Sequence, residues 1–228
     1  EREILPHGDP SRLNQEHKMA VVEGVYSMDG DVLDLAAYMG KHWLTVDEAH
    51  SVGVMGPNGM GAAAAQGIEP DFIVGTLGKA YGCYGAFVVG PPVLRDLLLS
   101  RGRTFIFTTG LPEPVVRAAS TAIRLADDAL REQLHVNVRR FRSGLEQIGL
   151  KALGKTHIVP VIFGDKTMDV AEALLRHGFW AAGIRAPTVP AGTERVRFTV
   201  SAAHTNDQID LLLETLQSVL KEIPDANA

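Results

Sequence analysis

Phe72-Ile73-Val74-Gly75-Thr76-Leu77-Gly78-Lys79 is a short apolar run that breaks into glycines and ends on a lysine. A continuous apolar run of this length reads as a strand buried on both faces, and the glycines mark a turn directly after it. The same plan recurs on either side. Met19-Ala20-Val21-Val22 ends at Glu23 and opens into the turn-rich Ser27-Met28-Asp29-Gly30-Asp31, Trp43-Leu44-Thr45-Val46 ends at Asp47, and Ala86-Phe87-Val88-Val89 ends at Gly90. Buried strands with helical stretches between them specify an α/β domain built on a parallel or mixed sheet. Ligands of such sheets bind at the carboxyl ends of the strands, where Glu23, Asp47 and Thr76 stand. Only eleven residues separate Asp31 from Trp43. A parallel crossover usually takes a dozen or more, so either the helix there is very short or the chain lacks residues at that point.

Past Pro112-Glu113-Pro114 the pattern changes to a long helical stretch running to Gly149, with apolar positions at Val116, Ala119, Ile123, Leu130, Leu134, Val138, Phe141 and Leu145 and a break near Asp127-Asp128. A strand over Ile158–Phe163, a helix over Met168–His177 and a short strand over Trp180–Ile184 follow. A strand over Arg195–Val200 and a closing amphipathic helix over Asn206–Ile223 complete an α+β layer of its own. The boundary falls inside the long helix, giving domains at 1–125 and 126–228, with no internal repeat and no low-complexity linker.

Composition narrows the class. The 228 residues carry a formal charge of −5, with 46% hydrophobic and 21% charged residues, which excludes a disordered chain. The single cysteine, Cys83, excludes a disulfide scaffold and fits a reducing compartment, here the cytoplasm. No apolar run approaches a membrane span, and the mild acidity argues against a nucleic-acid partner. The chain begins with Glu1, as expected of a piece of something longer.

Lys79 is open to three readings. It is an exposed turn lysine, or a phosphate-loop lysine, or a Schiff-base lysine whose lowered pKa makes it a nucleophile and proton carrier. The phosphate-loop reading fails because Ala80 stands where Ser or Thr is required. Asp47-Glu48-Ala49-His50 puts a carboxylate at a strand end and an imidazole three residues on. Pyridoxal phosphate asks for such a pair, since its pyridine nitrogen must stay protonated beside a carboxylate. A helix cap at Asp47, or a divalent metal held by Asp47, Glu48 and His50, are the competing readings; no second cluster at metal spacing accompanies the latter. Thr76 can offer its hydroxyl to a phosphate and Ser27 can bond the same cofactor, although both residue types also favour turns for ordinary reasons. On the alternating strand Arg195-Val196-Arg197-Phe198-Thr199-Val200, Arg197 can present its planar fork to a carboxylate, and so, by the same alternation, can Arg195.

Glu23-Gly-Val-Tyr-Ser-Met-Asp-Gly-Asp31, Val46-Asp-Glu-Ala-His-Ser-Val-Gly53 and Thr76-Leu-Gly-Lys79, in this order, resemble the α-oxoamine synthases. These are fold-type I pyridoxal-phosphate enzymes that condense an amino acid with an acyl thioester and release carbon dioxide. Ile184-Arg-Ala-Pro-Thr-Val-Pro-Ala-Gly-Thr193 and Arg195-Val-Arg-Phe-Thr-Val-Ser-Ala-Ala-His204 are most similar to the 8-amino-7-oxononanoate synthases, the branch serving biotin synthesis. The resemblance implies pyridoxal 5'-phosphate as cofactor, L-alanine and a pimeloyl thioester (on coenzyme A or an acyl carrier protein) as substrates, and a homodimer, with no metal. It implies that Lys79 forms the Schiff base, Asp47 pairs with the pyridinium nitrogen, and His50 and Ser27 bond the phenolic oxygen. Thr76 would hold the phosphate, joined by Thr109 from the other subunit, while Thr188 and Arg197 would bind substrate, Arg197 through the amino acid's carboxylate. Glu23 matches a cofactor-pocket glutamate. Glycine C-acetyltransferases and other members share the cofactor motifs, and a non-catalytic homologous subunit would lack the lysine. The family protein is longer at its N-terminus, where it carries a ring-stacking histidine, a Gly-Tyr pair at the phosphate and an acyl-recognising arginine. This chain matches the C-terminal part: a portion of the large cofactor domain followed by the small α+β domain. Alone it is expected to be inactive.

Overall fold

The computed structural model describes residues 2–11, 13, 18–40 and 42–223. The chain divides into two compact units. The first comprises the chain up to Val25 together with Leu33–Asp128; the second comprises Tyr26–Val32 together with the chain from Ala129. Sequence reading gives no sign that the seven residues of Tyr26–Val32 leave the first unit for the second.

In the first unit the four apolar runs form one mixed sheet, with β1 (Met19–Glu23), β2 (Trp43–Asp47), β3 (Phe72–Thr76) and β4 (Ala86–Val89) in that spatial order. β1, β2 and β3 are parallel, with Glu23 opposite Asp47 and Asp47 opposite Val74, and β4 returns antiparallel with Ala86 opposite Thr76. The short connection from β1 to β2 contains one 3-10 turn, Leu35–Tyr38. Side chains do the work a longer helix would do there. Asp34 Oδ1 accepts from Ala36 N (3.2 Å), while Gln66 accepts from Leu35 N (3.0 Å) and donates to Leu33 O (2.8 Å). The one-turn helix α1 (Ala62–Ala65) links β2 to β3. After β4 come α2 (Pro92–Arg101) and α3 (Arg103–Ile106), neither of which buries a residue, and then α4 (Glu113–Leu125).

α5 (Asp128–Gln147) follows a break at Ala126–Asp127, so the long helical stretch is two helices. The second unit has an antiparallel sheet in the order β5 (Ile158–Ile162), β7 (Arg195–Thr199), β6 (Ala182–Ile184). β6 is shorter than the strand expected from Trp180, because its pairing starts only at Ala182 opposite Arg197; Trp180 itself is 88% exposed. α6 (Thr167–Arg176) and α7 (Asn206–Glu222) complete the unit around Phe141, Leu145, Val159, Val161, Leu174, Val196, Phe198 and Leu216, all buried. Phe141 and Phe198 meet edge to face with ring centroids 5.2 Å apart. α7 opens on a capping box between Thr205 and Gln208, satisfying two N–H groups that the helix start would leave open. Among the described residues no helix is long and apolar enough to cross a membrane.

Candidate active site

The first unit assembles its expected site residues at the carboxyl ends of β2 and β3. The strand pairing continues one step past Asp47, with Gly24 N donating to Asp47 O (2.9 Å) and Glu48 N to Val74 O (2.8 Å). The chain then turns, as Ser51 N and Val52 N both donate to Glu48 O (3.0 and 2.9 Å). Asp47 is half-buried, and its Oδ1 accepts from Ala49 N (2.8 Å). This Asx turn fixes the carboxylate and leaves its second oxygen with no protein donor among the described residues. His50 is half-buried in the same turn.

Glu48 does something different from its neighbours. Its side chain is fully buried, and it accepts hydrogen bonds from Ala62 N and Ala63 N (2.8 Å each) and a short one from the Ser51 hydroxyl. Three protein donors account for this buried carboxylate without an ion. Glu48 instead ties the Asp47–His50 turn to the start of α1. Gly61, at φ +105°, makes this possible: a Cβ there would lie 2.7 Å from the Glu48 carboxyl carbon.

The glycine-rich segment after β3 folds back on itself, with Leu77 N donating to Gly85 O (2.9 Å), Cys83 N to Leu77 O (2.8 Å) and Gly82 N to Lys79 O (3.0 Å). Lys79 sits exposed at the tip of that fold. Thr76 Oγ1 donates to Gly85 O (3.2 Å) and accepts from Gly78 N (3.2 Å), so its hydroxyl already closes the loop. Contact with a phosphate requires its proton to turn away from Gly85. The turn bearing His50 touches the residues next to Lys79: Gly53, at φ +82°, leaves no room for a Cβ, which would lie 2.8 Å from Ala80 Cβ and 3.1 Å from the Tyr81 ring. Asp47, His50, Thr76 and Lys79 thus belong to one connected pair of loops. Thr109 is exposed in the connection between α3 and α4.

In the second unit, Ser27 lies in the Tyr26–Val32 loop and is half-buried. Its carbonyl accepts from Arg197 Nη1 on β7 (3.0 Å). The two arginines that sequence alternation leaves equivalent are not equivalent. Arg195 is 4% exposed and fully engaged, whereas Arg197 is half-buried with its Nε unpartnered among the described residues. Thr188 is exposed in the loop between β6 and β7, its N–H donating to Arg185 O (3.0 Å). A cavity of about 290 Å³ in this unit, lined by Phe141, Trp180, Phe198 and His204 among others, contains none of the expected residues.

Residues 8–216, nearly the whole chain, match the sequence profile of aminotransferase class I and II. The chain belongs to that family. Within this aminotransferase class, it is 44% identical over 226 residues to the putative 8-amino-7-oxononanoate synthase of Desulforudis audaxviator, a match covering 92% of this chain and 59% of the relative. It is 43% identical to the 8-amino-7-oxononanoate synthase of Alkalilimnicola ehrlichii, covering 94% of this chain and 60% of that protein. Among solved class I and II structures, the Sphingomonas wittichii serine palmitoyltransferase superposes with a TM-score of 0.86 at 34% identity, covering 92% of this chain and 57% of that one. The 8-amino-7-oxononanoate synthase of Francisella tularensis gives 0.81 at 26%, covering 93% and 66%. These relatives are α-oxoamine synthases, the group that the three N-terminal motifs resemble. The chain spans about 60% of the length of the curated aminotransferase-family relatives it matches.

Sequence reasoning misses the buried tie made by Glu48 and the pairing of Asp29 with Arg195. The only signal for Glu48 is an acidic residue directly after the strand-end Asp47, and Ala62 and Ala63, which answer it, offer only backbone.

Proposed function

We propose that the protein is a pyridoxal-phosphate-dependent acyltransferase that condenses L-alanine with a pimeloyl thioester to give 8-amino-7-oxononanoate, and that it works as a homodimer in the cytoplasm. The observation that carries this reading is the arrangement at Asp47: one carboxylate oxygen is pinned by Ala49 N, the other is left to a ligand, and the turn touches the lysine loop at Ala80. A strand-end carboxylate with one uncommitted oxygen fits a protonated ring nitrogen, and an exposed lysine in a glycine-closed loop fits an aldehyde carbon. Bound pyridoxal phosphate supplies the electron sink for a carbanion at the amino acid's α-carbon.

The chain's own residues divide the remaining work. Lys79 holds the cofactor through its amine and then takes the α-proton of alanine as general base. Asp47 keeps the pyridine nitrogen protonated, and His50 and Ser27 bond the phenolic oxygen. Thr76 and, from the second copy, Thr109 bind the phosphate. Thr188 contacts substrate, and Arg197 holds the alanine carboxylate until it departs as carbon dioxide.

Lys79→Ala in the purified protein given pyridoxal phosphate is expected to abolish the visible absorption band of lysine-bound cofactor. An unchanged band refutes the assignment. A second reading, an α-oxoamine synthase of different amino-acid and acyl preference, is favoured by one observation: identity reaches 34% with the S. wittichii serine palmitoyltransferase but 26% with the F. tularensis synthase. Product analysis with alanine, glycine and serine against short and long acyl thioesters separates the two.

A further inference from the structure

Two guanidinium groups on β7 grip the Tyr26–Val32 loop, and they do so unequally. Arg195 donates from Nη1 to Asp29 Oδ1 (2.5 Å) and Met28 O (3.1 Å), from Nε to Thr193 O (2.8 Å), and from Nη2 to Thr193 Oγ1 (3.0 Å). Every nitrogen of its fork is used, and the side chain is 4% exposed against 39% for Asp29. The loop is held at a second point, where Gly30 O accepts from Lys155 N (3.0 Å), Thr156 N (3.3 Å) and Thr156 Oγ1 (3.0 Å). The Ser27 carbonyl lies directly before the first anchor, between Met28 and Tyr26, whose O accepts from Gly30 N (2.9 Å) and whose N donates to Asp31 O (3.1 Å). Arg197, two residues along the strand and on the same face as Arg195, gives that carbonyl only Nη1. Its Nε is buried without a partner among the described residues, and no hydrogen bond occupies Nη2.

A guanidinium N–H donates a charge-assisted hydrogen bond to a carboxylate, and Nη2 is the nitrogen of Arg197 that is neither buried nor engaged among the described residues. Arginine rotates about its side-chain torsions unless something fixes the fork, and here the fixing group is the Ser27 carbonyl. We propose that Asp29 and Arg195 are positioning residues for carboxylate recognition: their ion pair sets the Ser27 carbonyl, which engages Nη1 of Arg197 and leaves Nη2, unpartnered among the described residues and not buried, for the carboxylate of an amino-acid substrate. The identity of that ligand rests on the function proposed above; the positioning does not.

The test compares two amines that differ in the carboxylate. Cofactor-loaded protein is titrated with L-alanine and with ethylamine, following the cofactor's absorption. In Asp29→Ala the dissociation constant for alanine is expected to rise about tenfold, with KM for alanine rising in parallel and kcat within about twofold, while ethylamine changes less than about twofold. Equal weakening of both amines, or of neither, overturns the proposal. Asp29→Asn keeps an acceptor at Oδ1 and serves if the alanine variant does not fold; a rise of about threefold for L-alanine alone is expected, and none overturns. A crystal structure of either variant reads the same claim without activity. Arg197 Nη1 is expected to leave hydrogen-bond distance of Ser27 O, and retention of that bond overturns the proposal. If the unaltered protein shows no response to alanine, the functional reading fails, and the Arg197–Ser27 distance still decides the positioning.

Discussion

Glu48 in the first unit and Arg195 in the second are both buried charges beside residues expected in the site, yet they are neutralised by different means. Glu48 is surrounded by the chain's own backbone N–H groups and one hydroxyl, all from within fifteen residues. Arg195 answers a carboxylate 166 residues away that remains 39% exposed, and adds carbonyl acceptors at Met28 and Thr193. The first arrangement is closed, because removing the carboxylate strands donors that water cannot reach. The second is partly open, because Asp29 can return to solvent when its partner goes. Buried charge therefore serves rigidity in one place and long-range tethering in the other.

The largest effect that this difference predicts is at Glu48. Glu48→Ala leaves the Ala62 and Ala63 N–H groups and the Ser51 hydroxyl without their acceptor, and stability is expected to fall by about 3 kcal/mol in urea unfolding. Arg195→Met keeps an unbranched apolar stem and releases Asp29 to water, so a smaller loss, about 1–2 kcal/mol, is expected from the same measurement. If Arg195→Met costs more than Glu48→Ala, the closed and open descriptions are reversed. The smallest effect belongs to a third, fully open arrangement, the ion pair between Arg140 on α5 and Asp210 on α7 (2.5 Å). Its hydrogen bond to Arg140 holds the Asp210 carboxyl below the usual carboxylate value. A depressed carboxyl pKa stabilises the fold above the unfolded-state value of 3.8 and loses that contribution as pH falls through the folded-state value. Asp210→Asn is accordingly expected to lower the thermal midpoint slightly near neutral pH and to converge with the unaltered protein below about pH 4, a difference that salt should suppress.

What the sequence makes legible follows from where its signals are written. The first sheet's strands and β5 announce themselves as apolar runs and β7 as an alternating one, and Asp47 and Lys79 stand out because each is the charged residue that follows such a run. Glu48 is illegible, since its partners at Ala62 and Ala63 are backbone groups that leave no mark on residue type. Arg195 and Arg197 cannot be told apart by a period of two, which puts both on one face; only a contact with Asp29 far along the chain separates them. The switch of Tyr26–Val32 to the second unit is hidden for the same reasons, because its anchors are carbonyl oxygens at Ser27, Met28 and Gly30 and an Asp29 carboxylate whose partner lies far along the chain. α2 and α3 go unread because they bury no residue and so show no period.

The seven residues of Tyr26–Val32 also bear on how this protein is dissected. Because they lie far upstream of Ala129, no single cut in the gene yields the second unit whole. A clone starting at Ala129 would encode β7 with Arg195 and Arg197 deprived of Asp29, Met28 and Ser27, and a clone ending at Asp128 would carry an unsupported stretch of loop. The C-terminal unit is a structural module but not a genetic one, and domain swaps with relatives must exchange the loop together with the sheet that holds it.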